Sequence, residues 1–175
     1  LNLHEKDIID SLAKDLRKPP TEALFEIIAV EQEISLTQSK LKQWMEPRNV
    51  EVPLSLKPGK AQVILEPLGC VLIIGPWNYP FSLTMQPLVS ALAAGNTAVL
   101  KPSEHAPETS RLICSLISKF FSKDIVTVIE GDGSIAESLV SQPFDHIFFT
   151  GGESIGKKVM KAAANNLTPV TLELG

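Results

Sequence analysis

The chain has 175 residues, 44% of them apolar and 21% charged. That is a globular composition, which excludes a disordered chain and fits one domain, at most two. Sixteen Lys and Arg against twenty Asp and Glu leave a net charge of −4, so no excess of positive charge is present to release counterions from nucleic acid. Two cysteines, Cys70 and Cys114, are too few for a disulfide scaffold and point to a reducing, cytoplasmic setting. No apolar run approaches the roughly 18 residues of a membrane span, and no basic flank followed by an apolar stretch marks a secretory leader. The chain starts at Leu1 and not Met, so residues upstream are expected.

In chain order, the first 46 residues read as helix. Leu3, Ile8, Ile9, Leu12 and Leu16 recur at helical spacing until Pro19-Pro20 stops the run. A second helix is expected from about Thr21 to Met45, with Leu24, Ile27, Ile34 and Leu41 on one face and Glu22 in its first turn. Residues 47–60 hold three prolines and Gly59 and read as an extended linker. From Ala61 to the end, short apolar runs alternate with helical ones. The expected strands are Gln62–Leu65, Val71–Ile74, Ala98–Leu100, Val126–Ile129, His146–Phe149 and Val170–Leu172. The expected helices are Phe81–Ala94, Glu108–Phe121, Ile135–Ser141 and Ser154–Ala164. This alternation predicts an α/β fold: a Rossmann-like parallel sheet with flanking helices, preceded by a helical segment. Strands such as Val71–Ile74, apolar without alternation, fit a sheet covered on both faces. Gly95-Asn96 reads as a helix C-cap, Pro107 as a helix start and Ser134-Ile-Ala-Glu137 as a capping box.

Ligands of open α/β sheets sit at the carboxyl ends of the strands, and glycine-bearing loops follow several strands here. Gly131-Asp-Gly-Ser-Ile-Ala136 fits a loose dinucleotide fingerprint, but the pattern alone favours a glycine-rich turn feeding a capped helix. Phe149-Thr-Gly-Gly-Glu-Ser-Ile-Gly156 has the same layout and the same two readings, with Glu153 as an objection to a phosphate. Lys101 and Glu104 pair a cation with a carboxylate after a buried strand, as ribose contacts or as a solvated loop pair. Asn78, in a loop stiffened by Pro76 and Pro80, is a candidate oxyanion donor or a turn residue bonding its own backbone. Trp77 is a pocket wall or a core contact. Glu173 ends a strand, where partial burial would tune it as a base. Cys70 and Cys114 lie in apolar runs and read as buried, inert thiols. His4, His105 and His146 lack metal-ligand spacing, so no metal site is expected.

Glu66-Pro-Leu-Gly69, Gly75-Pro-Trp-Asn-Tyr-Pro80, Pro87 with Ala91-Leu-Ala-Ala-Gly-Asn96, Lys101-Pro-Ser-Glu104, Phe149-Thr-Gly-Gly152 with Gly156, and Leu172-Glu-Leu-Gly175 together resemble the NAD(P)-dependent aldehyde dehydrogenase superfamily. The Trp-Asn-Tyr-Pro form, with Leu16-Arg-Lys-Pro19, Glu22-Ala23 and Gln43-Trp44-Met45, is most similar to the class 3 group that includes fatty aldehyde dehydrogenases, over its N-terminal portion.

The resemblance implies that Asn78 is the oxyanion-hole amide and Glu173 the general base. Ile74, Gly75, Pro76 and Trp77 would line the nicotinamide side of a cofactor groove. Lys101 and Glu104 would hold the adenosine ribose. Gly151, Gly152 and Gly156 would lie along the phosphates, with Gly131 near the adenosine. Gly152 stands where relatives often carry Ser. The implied cofactor is NAD or NADP, and the implied substrate is a medium- or long-chain or aromatic aldehyde, oxidised to its acid through a cysteine thioester. The family's nucleophile lies beyond Leu-Glu-Leu-Gly. Residues 1–175 are therefore expected to be a truncated cofactor-binding domain, inactive alone, with the catalytic domain, any membrane anchor and a homodimer belonging to the full-length protein. The competing readings are a non-catalytic nucleotide-binding or interaction module, and an acyl-phosphate reductase of the same superfamily.

Overall fold

A computed structural model describes the backbone of residues 1–175 and every side chain except that of Asn2. Two helices, α1 (Glu5–Leu16) and α2 (Pro20–Trp44), come first. A ribbon of β1 (Arg48–Val50) and β2 (Ala61–Val63) follows, and then β3 (Cys70–Ile74), α3 (Ser82–Ala93), β4 (Thr97–Lys101) and α4 (Pro107–Phe120). The chain continues through β5 (Val126–Val128), α5 (Gly133–Val140), β6 (His146–Gly151), α6 (Glu153–Ala163) and β7 (Val170–Leu174). The α/β fold expected from the sequence is therefore present, with the helical segment ahead of it.

The sheet has the order β5-β4-β3-β6-β7, and every neighbouring pair is parallel. The chain moves outward from β3 to β4 and β5, then returns to the other side of β3 as β6. The order reverses between β3 and β6, and at such a switch point the loops leaving the strand ends diverge and open a crevice.

Alternate residues of each strand feed opposite cores. Val71 and Ile73 pack with Ala98, Leu100, Ile113 and Ile8 under α1–α4. Leu72 and Ile74 pack with Ile147, Phe149, Val140 and Val159 under α5 and α6. Burial on both sides is the reason these strands read as unbroken apolar runs. Pro107 opens α4 at a position where its missing N–H costs nothing. Gly95, at φ +83°, turns the chain out of α3. Its N–H and that of Asn96 return to Leu92 O and Ala91 O, closing the helix end as anticipated.

Four local expectations are corrected. The strand expected over Gln62–Leu65 is Ala61–Val63, and it pairs antiparallel with Arg48–Val50 outside the main sheet. Its residues are largely exposed, so no buried face recruits it to the sheet. The buried stripe of α2 is Ala23, Glu26, Ile27, Val30 and Thr37, with Leu24, Ile34 and Leu41 on its margins. Ser134 does not cap α5: the helix starts at Gly133, two residues before the expected Ile135, and Asp132 accepts from the Ser134 N–H instead. Cys70 and Cys114 are partly exposed, not buried. Among the described residues no helix is long and apolar enough to cross a membrane.

Candidate functional site

The crevice at the carboxyl ends of β3, β4 and β6 is part of a cleft of about 1760 Å³. Ile74, Gly75, Pro76, Trp77, Asn78, Lys101, Glu104, Gly151, Gly152 and Glu173 all line it. Parallel strands in register bring these residues together although about 100 positions separate the first from the last.

The loop after β3 is held from below. Gly75 N–H donates to Lys101 O at 3.1 Å. A Cβ on Gly75 would collide with the Thr84 hydroxyl in the first turn of α3, so only glycine lets α3 approach the strand this closely. Asn78 is exposed, and its Oδ1 accepts from the Tyr79 N–H at 3.0 Å. An N–H can only donate, so the oxygen faces the backbone and the Nδ2 donors face outward. The two sequence readings of Asn78 are therefore compatible, because the turn bond orients the amide that a ligand would meet.

Lys101 closes β4 with 2% exposure. Its Nζ donates to Pro102 O at 3.0 Å and to Glu104 Oε2 at 2.7 Å. Partial burial pushes the Glu104 carboxyl up. The hydrogen bond and charge of Lys101, with Glu104's own backbone N–H, outweigh that and hold it below the usual carboxylate range. The pair is thus a built feature of the cleft wall, not a solvated loop pair.

Two helix N-termini open on the cleft, and they differ in what they offer an anion. At α5 the position is taken: Asp132 Oδ1 accepts from Ser134 N–H at 2.9 Å and from its hydroxyl at 2.6 Å. Those bonds hold the Asp132 carboxyl low, so a negative charge already stands there. At α6 the N-cap is Gly152, with no side-chain cap and nothing within 4 Å of where its Cβ would be. The first amides of α6 are therefore free for an oxyanion ligand. Glu153, the sequence-level objection, is paired along the helix with Lys157.

The remaining candidates fall elsewhere. Gly131 has φ +151° and packs against Ile135, and Gly133 takes its place on the cleft wall. Gly156 is buried one turn into α6, and its N–H is spent on Gly152 O at 3.0 Å. Its missing Cβ lets α6 lie against Leu174; the expected phosphate contact is replaced by a helix–sheet contact. Glu173 is exposed, correcting the expected partial burial, and pairs in register with Thr150. Val170 and Leu172 point to α6, so Glu173, like Thr171, points to the other face, where His146 Nε2 lies 3.0 Å from Thr171 Oγ1. Burial lowers the His146 pKa. Neither Cys70, at the amino end of β3, nor Cys114, on α4, lines the cleft. Among the described residues no cluster of His, Cys, Asp and Glu could hold a metal ion.

Sequence reasoning passed over three charged residues that support this site. Asp15 of α1 accepts from Glu108 N–H at 3.0 Å and Thr109 N–H at 2.8 Å, capping α4. Glu26 of α2, 1% exposed, accepts from Phe81 and Ser82 N–H, both at 3.0 Å, capping α3. Lys18 joins Glu26 at 2.7 Å. The available signal was a carboxylate set within an apolar helical stripe: Glu26 beside Ala23, Ile27 and Val30, and Asp15 following Ile8 and Leu12.

The sequence profile of the group described as the aldehyde dehydrogenase family matches residues 1–175. Aldehyde dehydrogenase family 3 member H1 of Arabidopsis thaliana is 43% identical over 173 residues, which are 98% of this chain and 36% of that protein. The substrate-bound structure of Staphylococcus aureus AldH superposes with a TM-score of 0.97 at 45% identity, over 99% of this chain and 38% of that one. A Staphylococcus aureus betaine aldehyde dehydrogenase in complex with NAD+ gives a TM-score of 0.90 at 29% identity, over 99% and 35%. The chain thus spans little more than a third of each of these proteins.

Proposed function

The chain belongs to the aldehyde dehydrogenase family, and from that membership we propose that residues 1–175 are the nicotinamide-cofactor portion of an enzyme that oxidises aldehydes to carboxylic acids. The observation that carries the reading is the asymmetry of the two helix N-termini. One is closed by Asp132, and the other, at Gly152, is left uncapped beside the crevice. That is a place for a diphosphate.

In this reading the amides at the start of α6 receive the phosphates, with Gly151 and Gly152 permitting close approach. Glu104, ionised and fixed by Lys101, accepts from a ribose hydroxyl. Ile74, Gly75, Pro76 and Trp77 form the wall toward the reacting end. NAD(P)+, when bound there, supplies the hydride acceptor. Asn78 Nδ2 donates to the oxygen of the aldehyde as negative charge develops on it, an interaction worth more at the transition state than in the ground state. Glu173, at the end of β7, takes a proton from the water that releases the acid.

The cysteine that attacks the aldehyde is neither Cys70 nor Cys114, since both stand away from the cleft, and it is supplied from outside residues 1–175. The substrate class is a hydrophobic medium- or long-chain or aromatic aldehyde. The full-length protein is cytoplasmic and a homodimer, and its choice between NAD and NADP turns on Glu104.

The test is aldehyde-dependent NAD(P)H formation by the full-length protein, with wild-type chain and with Asn78→Ala. Removing one oxyanion donor costs on the order of 10²-fold in kcat. A variant with wild-type kcat would overturn the role given to Asn78, and a wild-type protein inert toward all aldehydes would overturn the function.

A further inference from the structure

The loop that carries Asn78 is braced by residues of the N-terminal helical segment. Glu26 is 1% exposed, and each of its hydrogen bonds leads toward that loop. One oxygen accepts from the N–H groups of Phe81 and Ser82, both at 3.0 Å, and from the Ser82 hydroxyl at 3.3 Å. The other accepts from Lys18 Nζ at 2.7 Å. Lys18, itself buried, lies 3.8 Å from the centroid of the Tyr79 ring. The Tyr79 N–H in turn holds Asn78 Oδ1.

The chain turns at the end of α1 just before Lys18. Arg17, immediately before Lys18, adopts φ 56°, a left-handed conformation that a non-glycine residue rarely takes. Burying an ammonium and a carboxylate together is a weak route to stability, because desolvation offsets their attraction. A geometric role accounts for the arrangement better than a stabilising one does.

We propose that the buried Lys18–Glu26 pair is a positioning device for Asn78: Glu26 fixes the start of α3, and Lys18 clamps Tyr79 beside the amide. The inference rests on the role of Asn78 given above. It assigns to the N-terminal helices a part in catalysis distinct from covering the sheet. Lys18 and Glu26 are positioning residues, since neither lines the cleft.

The experiment uses the full-length enzyme with Glu26→Gln, which keeps the side-chain volume and removes the charge, alone and combined with Asn78→Ala. We expect kcat to fall about tenfold or more while KM for the cofactor stays within about threefold, because a misplaced donor weakens only the transition state. In the Asn78→Ala background the same change should cost less than about twofold, since residues acting as a unit are not additive.

Equal losses in the two backgrounds would mean a general structural role and would overturn the proposal, as would a Glu26→Gln enzyme with wild-type kcat. Neither result touches the function assigned to the site. Wild-type kcat in Asn78→Ala would remove both. Should Glu26→Gln fail to fold, Tyr79→Leu tests the other arm at a position 43% exposed. It should lower kcat about threefold or more, and Tyr79→Phe, which keeps the ring under the Lys18 cation, should restore it. Wild-type kcat in Tyr79→Leu would overturn the proposal.

Discussion

Lys101 and Glu104 form an ion pair in which the cation is buried and the anion faces the cleft: the ammonium side chain is 2% exposed, the carboxylate 34%, and they are 2.7 Å apart. A ligand entering the cleft therefore meets the carboxylate first. Glu104→Gln removes that charge while keeping a hydrogen-bonding group. It should shift the ratio of kcat/KM for NADP over NAD upward by about tenfold, the repulsion lost on a partly screened phosphate. An unchanged ratio would show that Glu104 does not face the 2′ position.

The sign of the pH effect follows from the same pair. The Glu104 pKa is lowered in the folded chain, so its contribution is fully present above the unfolded value and is lost as pH falls through the lowered folded value. The preference for NAD should thus persist to lower pH than an unshifted glutamate would allow, as read from the ratio of kcat/KM for the two cofactors across pH. It should weaken only at more acidic pH.

Gly152 has open space where a side chain would stand. Gly152→Ser adds a hydroxyl at the N-cap of α6 with no steric cost. A hydrogen bond to a charged group contributes about 1.5–3 kcal/mol, so KM for the cofactor should fall roughly tenfold or more, measured by titration with NAD and NADP separately. A KM equal to wild type would remove α6 as the phosphate helix.

Asp15 reaches from α1 to cap α4, with a further bond from the Thr109 hydroxyl at 2.8 Å. Asp15→Ala should destabilise by about 1 kcal/mol, the ordinary cost of losing an N-cap. In urea the midpoint should move without a change in slope. Since α4 begins at Pro107, three positions after Glu104, the variant should also raise KM for the cofactor, whereas kcat, governed in the proposed reading by the Asn78 loop, should hold.

What could be read from the sequence was whatever is local. The β3 segment Cys70–Ile74 declares itself by five successive apolar residues with both faces buried, and Pro107 and Gly95 mark helix ends by their own backbone geometry. Asn78, Lys101, Glu104, Gly151, Gly152 and Glu173 could be nominated because each follows a strand, and the cleft gathers all of them.

Tertiary relationships were out of reach. Glu26 caps a helix 55 residues away and Asp15 one 93 residues away, and no local pattern announces an acceptor at that distance. The α5 cap is ambiguous in the sequence for a smaller reason. Asp132, Gly133 and Ser134 offer two capping side chains within three residues, and the spacing alone does not rank them. Motif spacing places Gly156 with the phosphate glycines because it does not distinguish a backbone that meets a ligand from one that meets Leu174.

The two cores on either side of the sheet divide the site between them. The loop that carries Asn78 stands on the layer built by α1–α4, and the uncapped end of α6 stands on the layer built by α5 and α6. Only the central strands belong to both. Each half can therefore loosen as its own cooperative unit: damage to the α6 layer disturbs the uncapped helix end at Gly152 while the amide of Asn78 keeps its aim, and damage to the N-terminal layer reaches the Asn78 loop through α3 and the Lys101–Glu104 pair through α4. Substitutions in the α6 layer are thus separable from those in the N-terminal layer, because the two share little more than the sheet between them.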